Sequence, residues 1–356
     1  VEEQHGRAVA VVLSDGTRLP ADLVLLAIGV RPNVALAEAA GIELGESRGI
    51  ATDEYMRTND PDIYAVGDAA EYTYGPTGAK QRVALAGPAN RTGRLAGQHA
   101  VTGSSRPAPA AWGTSIVRVF GTSAGMTGLS LKAAKAAGYE ACATHVIANN
   151  HAGYYPGAQA MIVKLVFEEG TGVVLGAQAC GGEGVDKRLD VISTVTHFGG
   201  TVHDIVQLDL AYAPPFGSAK DPVHMAAFAA QNHLDGLAPV VQPDVDLCPY
   251  QVVDVRAAAE VEALPLAECD QIINIPLDKL RDRLDELDRS LPTIVACRSG
   301  LRSYVGTRIL KQHGFEEVYN LSGATAMREF ALNRRLPAAY TTTASGVPAP
   351  DAIMID

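Results

Sequence analysis

The sequence has little of what membrane, nucleic-acid-binding and disulfide-stabilised proteins require. It contains no uninterrupted apolar run of about 18 residues, the length that a membrane-spanning helix needs. Its 40 acidic residues outnumber its 29 basic residues, which argues against nucleic acid or an anionic membrane as the main partner. Its 5 cysteines have no short pairing spacing and its first residues form no signal segment, so we expect a protein of the reducing cytoplasm.

Two further absences concern cofactors and metals. A Gly-x-Gly-x-x-Gly turn between a strand and a helix holds the pyrophosphate of a dinucleotide, and the sequence contains no such turn. The nearest glycine cluster, from Gly121 to Gly128, has the wrong spacing, and no cysteine precedes Cys142. We predict no metal, because the following histidines lack ligand spacing with cysteines or carboxylates: His145, His151, His197, His203 and His224.

The most informative feature that is present is a cysteine loop at residues 297–302. It follows an apolar run at residues 293–296 that predicts a buried strand, and it precedes a helical pattern that ends at Gly314. A cysteine at such a turn lies where the unpaired N–H groups and the dipole of the helix favour negative charge. The loop consists of Cys297, Arg298, Ser299, Gly300, Leu301 and Arg302.

The residue types of this loop predict a nucleophilic cysteine. Arg298 and Arg302 add positive charge, which favours the thiolate of Cys297 over the thiol. The alternative, a small buried cysteine with a packing role, does not explain two arginines and a glycine in one turn. Only 4 residues separate Cys297 from Arg302, which suits one extra sulfur atom better than a tetrahedral phosphate or arsenate.

Residues 245–335 resemble the rhodanese family of sulfurtransferases, and the cysteine loop is the centre of that resemblance. Three other segments match the family, namely an Asp-x-Arg strand, an Asn-Ile-Pro turn and a last strand with a glycine turn, at 252–256, 273–277 and 318–323. Residues 268–272 depart from the family because they lack a His-Ile-Pro-Gly turn. Phe330 stands where the family often has Trp.

The resemblance implies an α/β domain with a parallel sheet and a sulfurtransferase activity. Cys297 would take the outer sulfur of thiosulfate or of a persulfide and carry it as a cysteine persulfide, which Arg298 and Arg302 would stabilise. The other loop residues would contact the substrate: Ser299, Gly300 and Leu301. Residues 278–289 predict a charged amphipathic helix with its leucines facing the core.

The first third of the chain predicts parts of a nucleotide-binding fold. Residues 7–13 and 19–30 predict two strands, the second covered on both faces, and a short helix follows. Residues 63–68 predict a strand with Asp68 at its carboxyl end, and Pro88 fits the first turn of a later helix.

The order of these segments resembles the flavoprotein disulfide reductases that bind two dinucleotides. Residues 58–68 resemble their second FAD fingerprint, which implies that Asp68 hydrogen-bonds a ribityl hydroxyl of the flavin. The resemblance also implies that the helix N-terminus at Pro88 and Ala89 faces the flavin ring, whose reduced form is anionic. Taken alone, Asp68 is equally explained as a turn residue after a strand.

Residues 112–231 resemble the dimerisation domain of the same flavoproteins. They predict strands at 116–120, 160–167 and 173–180 and helices at 131–138, 185–198 and 222–230. Three local runs resemble coenzyme A disulfide reductase and its persulfide- or polysulfide-reducing relatives, at residues 150–157, 184–188 and 211–221. The resemblance implies an α+β domain, a homodimer, and small thiols, persulfides or coenzyme A as ligands.

Four residues of this domain are candidates for substrate chemistry. By resemblance, Tyr155 and Tyr212 reach the redox cysteine of a partner subunit and donate a hydrogen bond to a leaving thiolate. The alternative for these tyrosines is aromatic packing beside proline. Lys187 and Arg188 lie near a predicted helix start, where paired cations can hold the phosphates of coenzyme A, and a solvated helix face is their alternative.

Together the resemblances predict a partial FAD- and NAD(P)-binding domain, a dimerisation domain and a rhodanese domain. The segments are 1–30 from the NAD(P)H-binding domain, 31–106 from the FAD-binding domain, 112–231 for dimerisation, a linker at 232–247, 248–336 for the rhodanese domain and a tail at 337–356. Because the pyrophosphate-binding turns and the redox cysteine are absent, we expect the C-terminal part of a longer protein or a truncated gene product.

The full-length protein would be an FAD- and NAD(P)H-dependent reductase of coenzyme A disulfide, coenzyme A persulfide or polysulfide. Its rhodanese domain would deliver sulfur to the flavin centre. Two alternatives stay open at this point, a stand-alone thiosulfate or persulfide sulfurtransferase and a non-catalytic dimerising scaffold that binds sulfur.

Overall fold

The computed structural model describes residues 1–266 and 272–332, which form three successive regions. The first region has a three-stranded antiparallel sheet, a short helix, a two-stranded hairpin and a long helix. Its elements are β1 (Glu2–Gln4), β2 (Arg7–Val12), β3 (Arg18–Pro20), α1 (Ala35–Ala39), β4 (Glu71–Thr73), β5 (Lys80–Arg82) and α2 (Ala86–Thr102). A small core that includes Met56, Tyr72 and Ala96 joins the hairpin to α2.

The apolar segment at residues 19–30 is not the buried strand that the sequence predicts. β3 ends at Pro20, and residues 22–30 belong to no strand of the described chain. The side chains of Leu25 and Ile28 are 81% and 89% exposed. A strand covered on both faces needs hydrogen-bonded neighbours and covering helices, and the described residues place neither beside this segment. By contrast, β2 confirms the predicted first strand.

Residues 63–68 also lack the predicted strand. Tyr64 forms only an isolated bridge, and the segment is instead fixed by the Tyr72 hydroxyl, which donates a 2.8 Å hydrogen bond to the carbonyl of Gly67. Gly67 has a φ of 82°, which glycine adopts without steric cost. Asp68 therefore lies on a turn rather than at the end of a regular strand.

The second region is a five-stranded antiparallel sheet with helices packed on it. The strand order is β6-β7-β10-β9-β8, and α4 and α6 share one large apolar core with the sheet. Its elements are β6 (Ser115–Val119), β7 (Thr122–Gly128), α3 (Leu131–Ala136), β8 (Ala141–Asn149), β9 (Ala160–Glu168), β10 (Val174–Gly181), α4 (Val185–His197), α5 (Val202–Val206) and α6 (Pro222–Leu234). The three predicted strands and three predicted helices are confirmed, whereas β7, β8 and α5 were not predicted.

The glycines of β7 have a packing role. A Cβ atom on Gly125 would lie 2.5 Å from the carbonyl oxygen of Ser115 and 2.6 Å from a methyl carbon of Leu189 in α4. A Cβ on Gly128 would lie 2.3 Å from the carbonyl oxygen of Leu175. These glycines let a neighbouring strand and helix approach closely, which explains a glycine cluster without dinucleotide spacing.

The third region is a five-stranded parallel sheet with the order β11-β15-β14-β12-β13. Its elements are β11 (Val240–Val241), β12 (Gln251–Asp254), α7 (Ala258–Ala263), β13 (Ile272–Asn274), β14 (Thr293–Ala296), α8 (Leu301–Gln312), β15 (Val318–Leu321) and α9 (Ala324–Ala331). This confirms the predicted parallel sheet. Most of residues 268–272 and the predicted tail at 337–356 lie outside the described residues.

One predicted helix of this region is corrected. The segment at residues 278–289 forms two 3-10 turns, Leu277–Asp282 and Leu284–Glu286, instead of one amphipathic α-helix. Arg283 separates the turns because its φ of −127° is not helical. The leucines nevertheless face the core as predicted, with exposures of 0%, 8% and 7% for Leu280, Leu284 and Leu287.

Side-chain hydrogen bonds connect the second and third regions. The Gln242 amide donates to the carbonyl of Ala143 at 2.9 Å. The backbone N–H of His145 donates to Ser322 Oγ at 2.9 Å, and the same hydroxyl bonds His145 Nδ1 at 3.0 Å. Burial, aided by the charge of Lys164, lowers the pKa of His145 to about 3, so the junction contains a neutral imidazole. No helix within residues 1–266 and 272–332 is long and apolar enough to cross a bilayer.

Candidate active site

Cys297 directly follows β14, a central strand of the parallel sheet. Ligands of open parallel sheets bind at the carboxyl ends of the strands, which is where this cysteine lies. Gly300, the residue before α8, has a φ of 103°, a conformation that other residues rarely adopt. Residues 297–300 thereby turn the chain from the strand into the helix, as the sequence predicts.

The sulfur of Cys297 is enclosed by polar groups of its own loop. The backbone N–H of Gly300 donates to Sγ at 3.1 Å. The hydroxyl of Ser303 lies 3.3 Å from Sγ and donates to the carbonyl of Gly300 at 3.0 Å. Cys297 as a whole is only 1% exposed, so burial and a polar cradle occur together. Ser303 was not predicted, although its place in the first turn after the cysteine loop is a signal for it.

The helix after the last strand fixes the backbone of this loop. The N–H groups of Thr325 and Ala326 donate to the carbonyls of Cys297 and Arg298 at 3.1 and 3.2 Å. These bonds hold the loop in the conformation in which the Gly300 N–H donates to the sulfur. The predicted glycine turn at Gly323, with a φ of 63°, starts this helix.

The two arginines of the loop have different surroundings. Arg302 makes two hydrogen bonds to the carboxylate of Glu260, at 2.6 and 2.7 Å. This pairing raises the pKa of Arg302 and lowers that of Glu260. Arg298 is exposed at the rim, where Leu301 is 62% exposed. Arg302 is therefore paired with a carboxylate, that of Glu260, which was not predicted to be part of the site.

The predicted Asp-x-Arg motif has a structural role beside the cysteine loop. Arg256 and Asp254 form a fully buried ion pair with an N–O distance of 2.6 Å. The Asn274 amide donates to the carbonyls of both residues, at 2.8 and 2.9 Å. These bonds hold the carboxyl ends of β12 and β13 in register next to β14.

The remaining predicted site residues lie in the cysteine loop and in the first region. Ser299 and Gly300 are half-buried in the cysteine loop. Asp68 is exposed, and α2 begins without a side-chain cap, with Pro88 buried and Ala89 half-buried in its first turn. An exposed carboxylate and an uncapped helix N-terminus fit the ribityl and ring end of a flavin.

Loops at residues 150–157 and 211–217 present the predicted tyrosines on one surface. Tyr155 and Tyr212 are 42% and 49% exposed, and Tyr212 Oη lies 3.4 Å from Tyr154 Oη. This hydrogen bond raises the pKa of Tyr212. Tyr154 was not predicted to be a site residue, although it stands beside Tyr155 in a predicted run. We call Tyr154, Tyr155 and Tyr212 the tyrosine surface.

Lys187 and Arg188 are separated by the structure. Lys187 is half-buried, and its Nζ donates to the carbonyl of Phe216 at 3.5 Å. Arg188 is 2% exposed and forms an ion pair with Asp221 at 2.6 Å. It also donates to the carbonyl of Asn150 at 2.6 Å. This corrects both interpretations of Arg188, because its guanidinium serves buried protein groups rather than a solvated helix face or an outside phosphate.

One group of described side chains has ligand atoms close enough together for a metal ion. Sγ of Cys142, a carboxylate oxygen of Glu169 and a ring nitrogen of His233 lie within 4.8 Å of one another. However, the N–H of Val240 donates to His233 Nδ1 at 3.0 Å, which assigns the ring proton to the nitrogen facing Glu169. Burial also raises the pKa of Cys142 to about 12, so this arrangement favours the protonated thiol over the thiolate that a metal ion needs.

Comparison with protein families divides the chain in the same way as its structure. Residues 1–93 match the pyridine nucleotide-disulphide oxidoreductase model, and residues 114–223 match the dimerisation domain of that family. Residues 240–326 match the rhodanese-like domain. The chain therefore combines segments that match two domains of the pyridine nucleotide-disulphide oxidoreductases with a rhodanese-like domain.

Solved structures share this domain combination. The reduced CoADR-RHD protein of Bacillus anthracis is 39% identical, with a TM-score of 0.84 over 93% of this chain and 59% of that one. The NAD-dependent persulfide reductase of A. fulgidus is 40% identical, with a TM-score of 0.80 over 89% of this chain and 57% of that one.

Curated relatives match the oxidoreductase part. The CoA-dependent NAD(P)H sulfur oxidoreductase of Pyrococcus furiosus is 37% identical over 219 residues, which are 62% of this chain and 49% of the relative. The coenzyme A disulfide reductase of Staphylococcus epidermidis is 29% identical over 230 residues, which are 65% of this chain and 52% of the relative. The chain thus spans about half the length of the curated relatives it matches.

Proposed function

We propose that the rhodanese-like region transfers sulfane sulfur and that Cys297 carries it as a persulfide. The observation that carries this proposal is the loop geometry, in which the Gly300 N–H donates to Sγ at 3.1 Å and the thiol donates to Ser303 Oγ at 3.3 Å. Donors aimed at a sulfur stabilise the negative charge of a thiolate or of a persulfide anion. A cysteine with only a packing role requires no such donors.

The first half-reaction forms the carrier. The Cys297 thiolate attacks the outer sulfur of thiosulfate, a new S–S bond forms, and sulfite leaves with the electron pair of the broken S–S bond. A persulfide donor reacts in the same way and releases its thiolate. The Gly300 N–H donates a hydrogen bond to the negatively charged sulfur, and Arg298 at the rim attracts the anionic donor.

The second half-reaction empties the carrier. An acceptor thiolate, such as that of coenzyme A, attacks the outer sulfur of the cysteine persulfide and becomes a persulfide itself, and the Cys297 thiolate is regenerated. Ser303 can turn its hydroxyl between the Gly300 carbonyl and the returning charge on Sγ, since both lie within hydrogen-bonding reach.

We further propose that the oxidoreductase part belongs to an FAD- and NAD(P)H-dependent reductase of coenzyme A disulfide, coenzyme A persulfide or polysulfide. The family matches and the names of the relatives support this proposal. When bound, the flavin would supply two-electron transfer from the nicotinamide to a sulfur–sulfur bond. Asp68 and the first turn of α2 would hold its ribityl and ring end, and Lys187 would contact a phosphate of coenzyme A.

A homodimer is part of this proposal. Residues 114–223 match a dimerisation domain, and the edge strand β6 and the residue after it carry exposed apolar side chains: Ile116, Val117, Val119 and Phe120. Such a patch on an edge strand favours association with a second copy. Light scattering is expected to give the mass of two chains, and a strict monomer would contradict this part of the proposal.

Thiocyanate production from thiosulfate and cyanide tests the sulfur-transfer proposal. The wild-type chain is expected to be active, Cys297→Ser inactive, and Cys248→Ser, which changes an exposed cysteine, unaffected. The second candidate function, a scaffold that binds sulfur without transferring it, predicts no thiocyanate from any of the three proteins. The polar cradle around Sγ favours the enzyme over the scaffold.

A further inference from the structure

Glu260 neutralises one of the two cations beside the cysteine loop. Its carboxylate receives two hydrogen bonds from the Arg302 guanidinium, at 2.6 and 2.7 Å, in a bidentate geometry. The side chains of Arg302 and Glu260 remain 37% and 30% exposed. The pair therefore lies at the solvent-facing side of the loop, where it acts on molecules that approach the sulfur.

The position of Glu260 is fixed by a buried anchor. Its carboxylate also accepts the backbone N–H of Ala257 at 3.2 Å at the start of α7. The guanidinium of Arg256 donates to the carbonyls of Glu260 and Leu264, at 3.4 and 2.9 Å. Because Arg256 itself is buried against Asp254, α7 holds Glu260 in one place, and the ion pair is preorganised.

The ion pair changes the charge that an incoming donor meets. Arg302 lies in the first turn of α8, directly after the loop whose Gly300 N–H donates to the Cys297 sulfur. With Glu260 in place, the pair is neutral as a whole, so a second negative charge on the donor gains little attraction. Without Glu260, that second charge would meet an uncompensated cation.

We propose that Glu260 sets the charge preference of the sulfur donor, so that the loop discriminates against dianionic donors in favour of monoanionic ones. This inference rests on the proposed sulfur transfer at Cys297. Glu260 touches neither the sulfur nor the donor and acts through Arg302, so it is a positioning residue.

Two sulfur donors that react in the same way but differ in charge show the effect of the donor's charge alone. Thiosulfate is a dianion, and methanethiosulfonate is a monoanion that also yields its outer sulfur to a thiolate, with methanesulfinate as the leaving group. The quantity to measure is the ratio of kcat/KM for thiosulfate to kcat/KM for methanethiosulfonate. Cyanide is the common acceptor and thiocyanate the common product.

Glu260→Gln is expected to raise this ratio about three- to tenfold, mainly through a lower KM for thiosulfate, and added salt should diminish the gain. Glu262→Gln removes an equal charge from an exposed position of the same helix and is expected to leave the ratio unchanged. Arg302→Gln is the second variant, and it should lower the ratio because Arg302 then no longer compensates the negative charge of the Glu260 carboxylate.

The outcomes distinguish the charge preference from the sulfur transfer on which it rests. An unchanged ratio in both Glu260→Gln and Arg302→Gln, with the wild-type chain active, would overturn the charge preference and leave the proposed sulfur transfer intact. A change of the same size in Glu262→Gln would also overturn it. A wild-type chain that makes no thiocyanate from either donor would overturn the proposed function itself, and this inference with it.

Discussion

The rhodanese-like region and the first region of this chain differ in how their sites are built. In the rhodanese-like region, the loop after β14 and the first turn of α8 supply the groups that bond the Cys297 sulfur, and Cys297 is part of a buried apolar core. In the first region, Asp68, the proposed flavin-side residue, lies on a turn, and most of the apolar side chains of residues 22–30 are exposed. The groups at the Cys297 sulfur come from one continuous stretch of chain, whereas the proposed flavin-side residues lie on separate segments.

The sharpest contrast is expected in cofactor retention. The purified 356-residue chain should show little or no visible flavin absorbance, because no pyrophosphate-binding turn is present in its sequence, while the same sample produces thiocyanate. An absorption spectrum and an activity assay on one preparation make this comparison. A stoichiometric flavin band would contradict it.

A pair of isoleucines tests the contrast in packing. Ile294→Ala in β14, where the side chain is fully buried, is expected to lower the free energy of unfolding by about 2–5 kcal/mol. Ile28→Ala, at a position that is 89% exposed, is expected to change it by less than about 0.5 kcal/mol. Urea denaturation measures both values. An equal loss would mean that residues 22–30 are covered in solution.

The junction between the second and third regions is expected to respond to acid. The folded pKa of His145, about 3, lies below its ordinary value, so protonation favours the unfolded state and stability falls as the pH drops below about 6.5. The expected loss is about 2 kcal/mol at pH 5. Unfolding at pH 7 and pH 5 should show this loss in the wild type and in the exposed control His203→Gln, but not in His145→Gln. An identical pH dependence in all three proteins would count against the buried junction.

The smallest expected effect concerns a single donor in the cysteine loop. Ser303→Ala removes the hydroxyl beside Sγ and is expected to lower kcat for thiocyanate production about tenfold, because the group that would turn its proton toward the developing charge is lost. Ser290→Ala, which changes an exposed serine away from the loop, serves as the control. A full rate in Ser303→Ala would contradict a role of this hydroxyl in stabilising the sulfur.

The rhodanese-like region was predictable because its signals are local. The apolar run at residues 293–296 coincides with β14, and the cysteine loop follows it as expected. Arg188 could not be predicted to be buried, because its partner Asp221 is 33 positions away and only the tertiary fold brings them together. Arg302 and Glu260 are 42 positions apart in the sequence, so their pairing could not be predicted for the same reason.

In the first region, an apolar sequence pattern predicts a strand that the structure does not contain. Residues 22–30 have the composition of a buried parallel strand, but a strand exists only when a neighbour supplies its hydrogen bonds. In the second region, β7 escaped prediction because its glycines mask the usual alternation, although they are the residues that let α4 pack closely.

The most direct test of sulfur transfer at Cys297 is the mass of the peptide that contains this cysteine after the chain has reacted with thiosulfate. We predict a gain of one sulfur atom on Cys297, which cyanide then removes as thiocyanate. No added sulfur on that peptide, or the same gain on Cys248 in place of Cys297, would contradict the claim that the cysteine loop is the sulfur-carrying site of this chain.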